Sequence, residues 1–199
     1  MGKALIIVLA GFLTWAAVYY LHWVLIRRRF VVISPGRVYQ SGAMSPARLV
    51  RYARRHDIQV VVDFRAGHEK GVQEEERALA AAGIRHVNIP AGMDPTEEAI
   101  KRFNDLMAVE RAAGRRVLLH CKDGEGRAVA FAAIYRMELE GWSPRDAYRG
   151  ATRLPPGFKF VTDIFPRAGL LSKGNCKTRL ILNYRAATPA PSATPAIET

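Results

Sequence analysis

The pattern of apolar positions along this chain predicts strands at 58–64, 84–89 and 117–119. The run at 117–119 is apolar without interruption. An unbroken apolar run is typical of a strand that is covered on both faces. Between these runs the apolar positions recur at helical spacing, which predicts helices over 45–56, 72–82 and 95–113. Strands that alternate with helices predict an α/β fold, in which a central, mostly parallel sheet is flanked by helices.

Further elements are expected on either side of this pattern. Residues 30–41 predict two short strands about a Pro-Gly turn. Shorter helices are expected at 158–165 and 168–171, after a Pro-rich break in the chain. Residues 187–199 are rich in Pro, Ala and Thr and have little to bury, so we expect them to be disordered.

The longest apolar run covers residues 4–26 and carries no formal charge. A helix needs about 20 apolar residues to span a bilayer. Tyrosine and tryptophan side chains lie near one end of the run, as they do at membrane interfaces, and three arginines follow it. We therefore predict a transmembrane anchor at residues 1–29, a folded domain at 30–186 and the disordered tail described above.

Two alternatives to an anchor are open for this run. One is a cleaved signal peptide, although the run is longer than the usual apolar region of about 7–15 residues. The other is a buried helix of a soluble protein. If the run is an anchor, the arginines that follow it favour a single-pass membrane protein with its domain in the cytoplasm, and export of the domain is the alternative.

Composition and charge narrow the range of partners. The chain has 199 residues, of which 49% are apolar, which is enough for one domain with a substantial core. Its formal charge of +12 indicates an acidic partner. Because no nucleic-acid-binding motif is present, the expected partners are phosphorylated substrates and a membrane surface. The sequence does not indicate the oligomeric state.

The polar segment 120–127 lies where a buried strand ends and a helix begins. The first N–H groups of a helix lack partners and favour an anion there. Cys121 opens the segment, and a thiol at a helix N-terminus is favoured as the nucleophilic thiolate. Gly124 and Gly126 allow the loop to curl around an oxyanion, and Arg127 can bind two phosphate oxygens. These features together indicate covalent phosphoryl transfer to sulfur.

The sequence HCKDGEGR at 120–127 resembles the HCxxGxxR loop of the cysteine-dependent protein tyrosine and dual-specificity phosphatases. The segments ISPGRVYQSGAMSPARL, VVVDFRAGHEK, AAGIRHVNIP and YRMELEGWSPRDAY are similar to small bacterial and plant members, so the resemblance covers roughly 34–151. It implies the α/β fold of that family. It also implies hydrolysis of phosphate monoesters, with phosphotyrosine or phosphoserine/threonine proteins as substrates.

The resemblance implies roles for individual residues. Cys121 is the expected nucleophile, and Arg127 is expected to hold the phosphate oxygens during catalysis. The expected phosphate-binding loop comprises Lys122, Asp123, Gly124, Glu125, Gly126 and Arg127. His120 is expected to orient the loop and to help hold the thiolate through a backbone network.

The family also uses an aspartate from an upstream loop as the general acid. Asp94 is the best positional match, because it follows a strand end and precedes a helix. The same residue also suits a helix N-cap, with Pro95 at the first position and Glu97 at the third, so both roles stay open. Asp63 is a weaker candidate, since it lies within a strand and more simply makes a structural hydrogen bond.

One position departs from the family pattern. A Ser or Thr usually follows the arginine, where its hydroxyl stabilises the departing sulfur of the phosphocysteine, and this chain has Ala128 there. The resemblance therefore implies a slow second step. Asp123 and Glu125 also place two carboxylates beside the anion site, which oppose binding if they point inward and do little if they point outward.

Three alternative functions are open on the sequence. A catalytically weak or inactive pseudophosphatase would bind phosphorylated partners without turnover. A phosphoinositide phosphatase suits an anchored enzyme. A sulfurtransferase with a cysteine loop is disfavoured, because the His-Cys start and the spacing to the arginine fit phosphate chemistry better.

The chain has two cysteines and hence no disulfide framework. Cys121 and Cys176 either form a reversible redox pair or are ordinary unpaired thiols. No histidine or cysteine stands at metal-ligand spacing, so we expect no metal and no cofactor. Arg65, Arg115 and Arg116 either add to a basic mouth or are ordinary surface charges.

Overall fold

The structure is a computed structural model that describes residues 2–66, 71–151 and 176–186. The helices predicted at 158–165 and 168–171 and the tail predicted at 187–199 lie outside the described residues. They stay predictions, as do the boundaries between anchor, domain and tail.

Five strands form one sheet in the described part of the chain. The strands are β1 (Val31–Ser34), β2 (Val38–Gly42), β3 (Val60–Asp63), β4 (Arg85–Asn88) and β5 (Val117–Cys121). Their spatial order is β1-β2-β5-β3-β4. Strand β1 runs antiparallel to β2, and the other neighbours are parallel. The predicted mostly parallel sheet is thereby confirmed.

Helices cover both faces of this sheet. The α-helices of the described residues are α1 (Gly2–Leu21), which does not pack on the sheet, and α2 (Pro46–Arg55), α3 (Val72–Ala81), α4 (Glu97–Ala112), α5 (Arg127–Leu139), α6 (Pro144–Gly150) and α7 (Cys176–Asn183). Helices α4 and α5 pack on one face, where Phe64, Phe103 and Phe131 contact one another. Helices α2 and α3 cover the other face through Leu49 and Leu79.

The central strand β5 divides its side chains between the two faces, as the alternation of a strand requires. Val117, Leu119 and Cys121 belong to the apolar core on the face of α4 and α5, whereas Leu118 belongs to the core on the opposite face. Cys121 ends the strand with 3% of its surface exposed. By the same alternation, His120 is directed to the face of α2 and α3.

Helix α4 begins two residues later than the sequence predicts. The Oγ1 atom of Thr96 accepts a hydrogen bond from the N–H of Ala99 at 3.2 Å, which makes Thr96 the N-cap. A side-chain oxygen at this position satisfies one of the free N–H groups of the first turn. The interpretation of Asp94 as the cap is therefore wrong, and Asp94 lies in the loop that precedes the helix.

Helix α1 continues into a π-helical turn at His22–Ile26, which gives a helix of 25 residues with a mean hydropathy of 2.1 over an 18-residue window. No residue of α1 is buried against the described part of the domain. It is long and apolar enough to cross a membrane, as a signal sequence also is. The chain then turns at Arg28 and Arg29, whose φ angles of 50° and 55° are left-handed.

Candidate active site

The loop at 122–126 joins β5 to α5 at the carboxyl edge of the parallel strands. Ligands bind at this edge in open α/β sheets. Gly124 has a left-handed φ of 71°, and a Cβ atom at this position would lie 2.5 Å from the backbone N of Gly42, at the end of β2. The backbone angle and the contact with β2 therefore both require glycine at 124.

Three consecutive carbonyl groups of the loop point to its outer side. The N–H of Ala43 donates to Lys122 O at 3.0 Å, and Nη1 of Arg29 donates to Asp123 O at 2.9 Å. Nε2 of Gln40 donates to Gly124 O at 3.1 Å. The C=O and N–H groups of a trans peptide point in opposite directions. The N–H groups of residues 123–125 therefore face the other side of the loop, where successive N–H groups form a cradle for an oxyanion.

Cys121 and Arg127 flank this cradle. Cys121 is the last residue of β5 and pairs in register with Gly42 of β2. Arg127 is the first residue of α5, and its Nη1 donates to the carbonyl oxygens of Phe64 at 2.9 Å and Ala91 at 3.4 Å. These two carbonyls follow β3 and β4, so the guanidinium lies across the carboxyl edge of the sheet. The expected nucleophile and the expected phosphate-binding arginine thus lie at the two ends of one loop.

The loop between β4 and α4 lies beside the cradle. A Cβ atom on Gly126 would lie 2.7 Å from Cε of Met93, so Met93 covers this part of the loop. Asp94 follows directly and is exposed. The residue expected to act as general acid is therefore next in the chain to a side chain that contacts the phosphate loop.

The two carboxylates of the loop have different surroundings. Asp123 is exposed, whereas Oε1 of Glu125 forms an ion pair with Nη2 of Arg29. Arg29 also donates to Asp123 O and so lies on the outer side of the loop. The Glu125 carboxylate is therefore directed away from the cradle. Lys122, at the start of the loop, is exposed.

On the opposite face of β5 from Cys121 lies a buried group of charged side chains, here named the polar cluster. It comprises Asp63, Arg65, Glu75, His86 and His120. Arg65 donates to both carboxylate oxygens of Asp63 at 2.8 to 3.0 Å and to Oε2 of Glu75 at 2.7 Å. Nε2 of His120 lies 2.7 Å from Oε1 of Glu75, and Nε2 of His86 lies 3.6 Å from the same oxygen.

The structure corrects the expectation for Arg65 and makes Arg115 and Arg116 surface charges. The side chain of Arg65 is only 6% exposed, so it is neither a surface charge nor part of a basic mouth. Arg115 pairs with Glu110 and Arg116 with Asp57, at 2.8 and 3.0 Å. Because both residues precede β5, they lie at the end of the strand opposite the phosphate loop.

The charges of the polar cluster stabilise one another. Burial by itself would raise the pKa values of Asp63 and Glu75, but the neighbouring cationic groups outweigh it. The pKa of Asp63 is held well below its usual range, and that of Glu75 falls to about 2. Burial by itself would lower the pKa of His86, but the two carboxylates raise it to about 9. His86 is therefore an imidazolium at neutral pH.

Four members of the polar cluster are of the residue types that bind metal ions. One ligand atom from each of Asp63, Glu75, His86 and His120 lies within 4.8 Å of the others. Arg65, however, already binds both oxygens of Asp63 and one oxygen of Glu75. A metal ion would add a second buried cation beside the guanidinium, where charges repel strongly. The cluster fits a structural role better, and the expected absence of a metal stays a prediction.

Two features of the site escaped the sequence analysis. Arg28 and Arg29 suggested only a membrane flank, because a run of arginines does not indicate a contact with a loop 94 residues further along the chain. His86 appeared to be an ordinary strand residue. Its one signal was an ionisable side chain within a short predicted strand.

Comparison with known proteins relates this geometry to phosphatases. The profile of the family described as "DSP-PTPase phosphatase fused to NAD+ Kinase" matches residues 36–154. The dual specificity protein phosphatase TpbA of Pseudomonas aeruginosa (strain UCBPP-PA14) is 33% identical over 108 residues, which cover 53% of this chain and 45% of that protein. The chain thus spans just under half the length of this curated relative.

Two solved structures have a similar fold. The crystal structure of a P. aeruginosa TpbA variant in complex with pTyr gives a TM-score of 0.52 at 24% identity, covering 79% of this chain and 90% of that one. The crystal structure of PTPMT1 in complex with PI(5)P gives a TM-score of 0.56 at 16% identity, covering 72% and 97%.

Proposed function

Because this chain belongs to the DSP-PTPase family of cysteine-dependent phosphatases, we propose that it hydrolyses phosphate monoesters through a phosphocysteine intermediate. The observation that carries the proposal is the outward direction of three successive loop carbonyls, which turns the intervening N–H groups to one side. Cys121 and Arg127 flank that side. A thiol nucleophile beside fixed N–H donors and a guanidinium is the arrangement that phosphoryl transfer to sulfur requires.

In the first step the Cys121 thiolate attacks the phosphorus in line, and the bond from phosphorus to the ester oxygen breaks. The loop N–H groups and Arg127 hold the equatorial oxygens, so that the developing charge meets donors that are already in place. Asp94 gives a proton to the departing oxygen. Its assignment is supported by the contact of its neighbour Met93 with Gly126.

In the second step water attacks the phosphocysteine. Asp94 accepts the proton of the water, and the bond from phosphorus to sulfur breaks to return the Cys121 thiolate. Ala128 offers no hydroxyl to the departing sulfur, so we expect this step to limit turnover. His120 acts from behind the strand, where its contact with Glu75 fixes the end of β5 that carries the cysteine.

Phosphorylated proteins are the proposed substrates, with phosphotyrosine as the first choice. The sequence similarity to TpbA, a dual specificity phosphatase whose variant was crystallised with pTyr, supports this choice. A phosphoinositide is the alternative. It is favoured by the shared fold of PTPMT1, which was crystallised with PI(5)P, and by the apolar helix that directly precedes the domain.

The apolar helix at 2–26 is proposed to anchor the chain in a membrane as a single span. None of the side chains of Gly2–Leu21 is buried against the described part of the domain, and the length of the helix suffices for a bilayer. The arginines that follow the helix favour a cytoplasmic domain by the positive-inside rule. The formal charge of +12 also suits a domain held close to an anionic surface.

Turnover of free phosphotyrosine by the full-length chain in detergent micelles tests the activity. We expect phosphate release that orthovanadate inhibits and that Cys121→Ser abolishes. Asp94→Asn should lower kcat/KM by about 10²-fold or more, because kcat/KM reports the first step and a phenol leaves poorly without a proton. Asp105→Asn, which removes an exposed carboxylate from α4, is the matched control and should retain the wild-type rate.

The alternative hypothesis is a pseudophosphatase that binds phosphorylated partners. It would be supported by a folded wild-type protein that binds orthovanadate but releases no phosphate. That result would overturn the proposed enzyme activity. Turnover that survives Cys121→Ser would overturn the proposed phosphocysteine intermediate.

A further inference from the structure

Two arginines at the end of the apolar helix reach the outer side of the phosphate loop. Nε of Arg28 donates to Ala43 O at 2.8 Å, and its Nη2 lies 3.5 Å from Lys122 O. Arg29 donates from Nη1 to Asp123 O at 2.9 Å and pairs through Nη2 with the Glu125 carboxylate. These two residues, here named the arginine brace, therefore contact the loop from the side opposite the cradle.

The backbone around the brace is held in place by the domain. Trp23 and Phe30, on either side of it, are 2% and 3% exposed. Phe30 packs against the rings of Tyr39 and His56, with centroids 5.7 and 4.7 Å away. The N–H of Gly42 donates to the carbonyl oxygen of Arg28 at 2.7 Å. The arginines thus leave a fixed turn and not a mobile linker.

The brace also pairs with a carboxylate that would otherwise oppose the binding of phosphate in the cradle. Glu125 is part of the phosphate loop, and an unpaired carboxylate there repels a phosphate dianion. The side chain of Arg29 is 14% exposed, so its pairing with Glu125 is sheltered from solvent. One nitrogen of the guanidinium pairs with Glu125 and the other donates to Asp123 O, so the planar group fixes the carboxylate relative to the loop backbone.

We propose that Arg29 is a positioning residue for phosphate binding. It fixes the outward carbonyl of Asp123 and keeps the Glu125 carboxylate away from the anion. The segment next to the apolar helix is therefore part of the working site and not only a tether. This inference rests on the proposed function, since it names what shapes the same phosphate loop.

The test compares Arg29→Ala with Arg27→Ala in the full-length chain in detergent micelles. Arg27 is exposed and lies close to Arg29 in the chain. Its substitution by alanine removes the same positive charge and leaves the contacts of the brace with the loop in place. We expect Arg29→Ala to raise the KM for phosphotyrosine about tenfold, and to weaken orthovanadate binding equally, with a smaller change in kcat. Arg27→Ala should keep the wild-type KM.

A second variant separates electrostatic positioning from general loss of structure. Arg29→Ala combined with Glu125→Gln removes the released carboxylate, and we expect it to recover most of the lost affinity. If Arg29 only stabilised the fold, both variants would lose affinity alike and would unfold at the same lowered temperature. That result, or an unchanged KM in Arg29→Ala, would overturn the inference.

The two proposals can fail separately. A wild-type chain without turnover would overturn the proposed enzyme activity. The orthovanadate affinities of the Arg29→Ala and Arg27→Ala variants would still decide the role of Arg29. A wild-type chain with turnover and equal losses in the Arg27 and Arg29 variants would keep the activity and overturn the role of the brace.

Discussion

The side chain of Ala128 is completely buried in the first turn of α5, in the same apolar core as Cys121. A serine there places a hydroxyl beside the nucleophile, where it can donate to the sulfur as the phosphocysteine breaks. We predict that Ala128→Ser raises kcat for phosphotyrosine several-fold, which corresponds to a barrier lowered by about 1 kcal/mol. Quenched-flow measurement of the phosphoenzyme should show that less of it accumulates.

Ala132→Ser provides the control for that experiment. Ala132 lies one turn further along α5 and belongs to the same core, so its substitution buries a hydroxyl away from the loop. It should lower stability without raising kcat, because an added buried hydroxyl must find a partner. An unchanged kcat in Ala128→Ser would show that release of the sulfur does not limit turnover.

Single residues differ in how far the sequence could predict them. Cys121 and Arg127 could be placed at one loop because their spacing is local. Arg65 could not, since its burial depends on Glu75 in helix α3. The choice between the two roles of Asp94 could not be made either, because Thr96 competes for the same helix start and the sequence alone does not rank the two.

At the scale of the elements, strand β2 contacts the phosphate loop where Gly42 faces Gly124. We predict that Gly124→Ala lowers kcat/KM at least tenfold, because the added Cβ would meet the backbone of Gly42 and must displace the loop. The left-handed φ adds a cost of about 1–2 kcal/mol. Kinetics of the purified variant and its thermal midpoint measure the two effects.

Gly36→Ala is the matched control for this substitution. Gly36 also has a left-handed φ, 67°, but a Cβ there would meet nothing within 4 Å. It should lower the thermal midpoint through the backbone cost alone and leave kcat/KM unchanged. Equal kinetic losses in the two variants would mean that the contact with Gly42 does not shape the loop.

The elements themselves were largely predictable. Strand β5 followed from an unbroken apolar run, because a strand covered on both faces has no polar side to alternate with. Strands β3 and β4 were predicted within 58–64 and 84–89, although β4 itself is mostly polar. Their pairing order was not predictable, since it depends on contacts between distant segments. The turn after the apolar helix could not be foreseen either, because its left-handed residues are arginines and not glycines.

At the scale of the whole molecule, the polar cluster joins β3, α3, β4 and β5. The pKa of His86 is raised to about 9 from 6.5, so its stabilising charge is fully present below pH 6.5 and is lost as the pH rises to about 9. The pKa of Glu75 is lowered to about 2 from 4.5, so its contribution is lost as the pH falls below 4.5. The thermal midpoint of the full chain should therefore be highest between pH 4.5 and pH 6.5.

We predict that His86→Gln removes the alkaline part of this dependence and lowers stability near pH 6 by on the order of 2 kcal/mol. Thermal unfolding from pH 5 to 9.5, followed by circular dichroism, measures it. Glu76→Gln, an exposed neighbour on α3, should reproduce the wild-type profile. A wild-type midpoint that does not fall between pH 6.5 and 9 would contradict the assignment of a charged His86.

The arginine brace also makes the site sensitive to proteolytic processing. A trypsin-like cut after the exposed Arg27 would release the domain with both bracing side chains attached. A cut two residues later would leave Arg28 and Arg29 on the fragment that carries the apolar helix and would take the partner Arg29 from Glu125. On the proposed role of Arg29, the two forms of the domain would differ by two residues and also in their affinity for phosphate. The position of cleavage would then decide how well the released domain binds its proposed substrate.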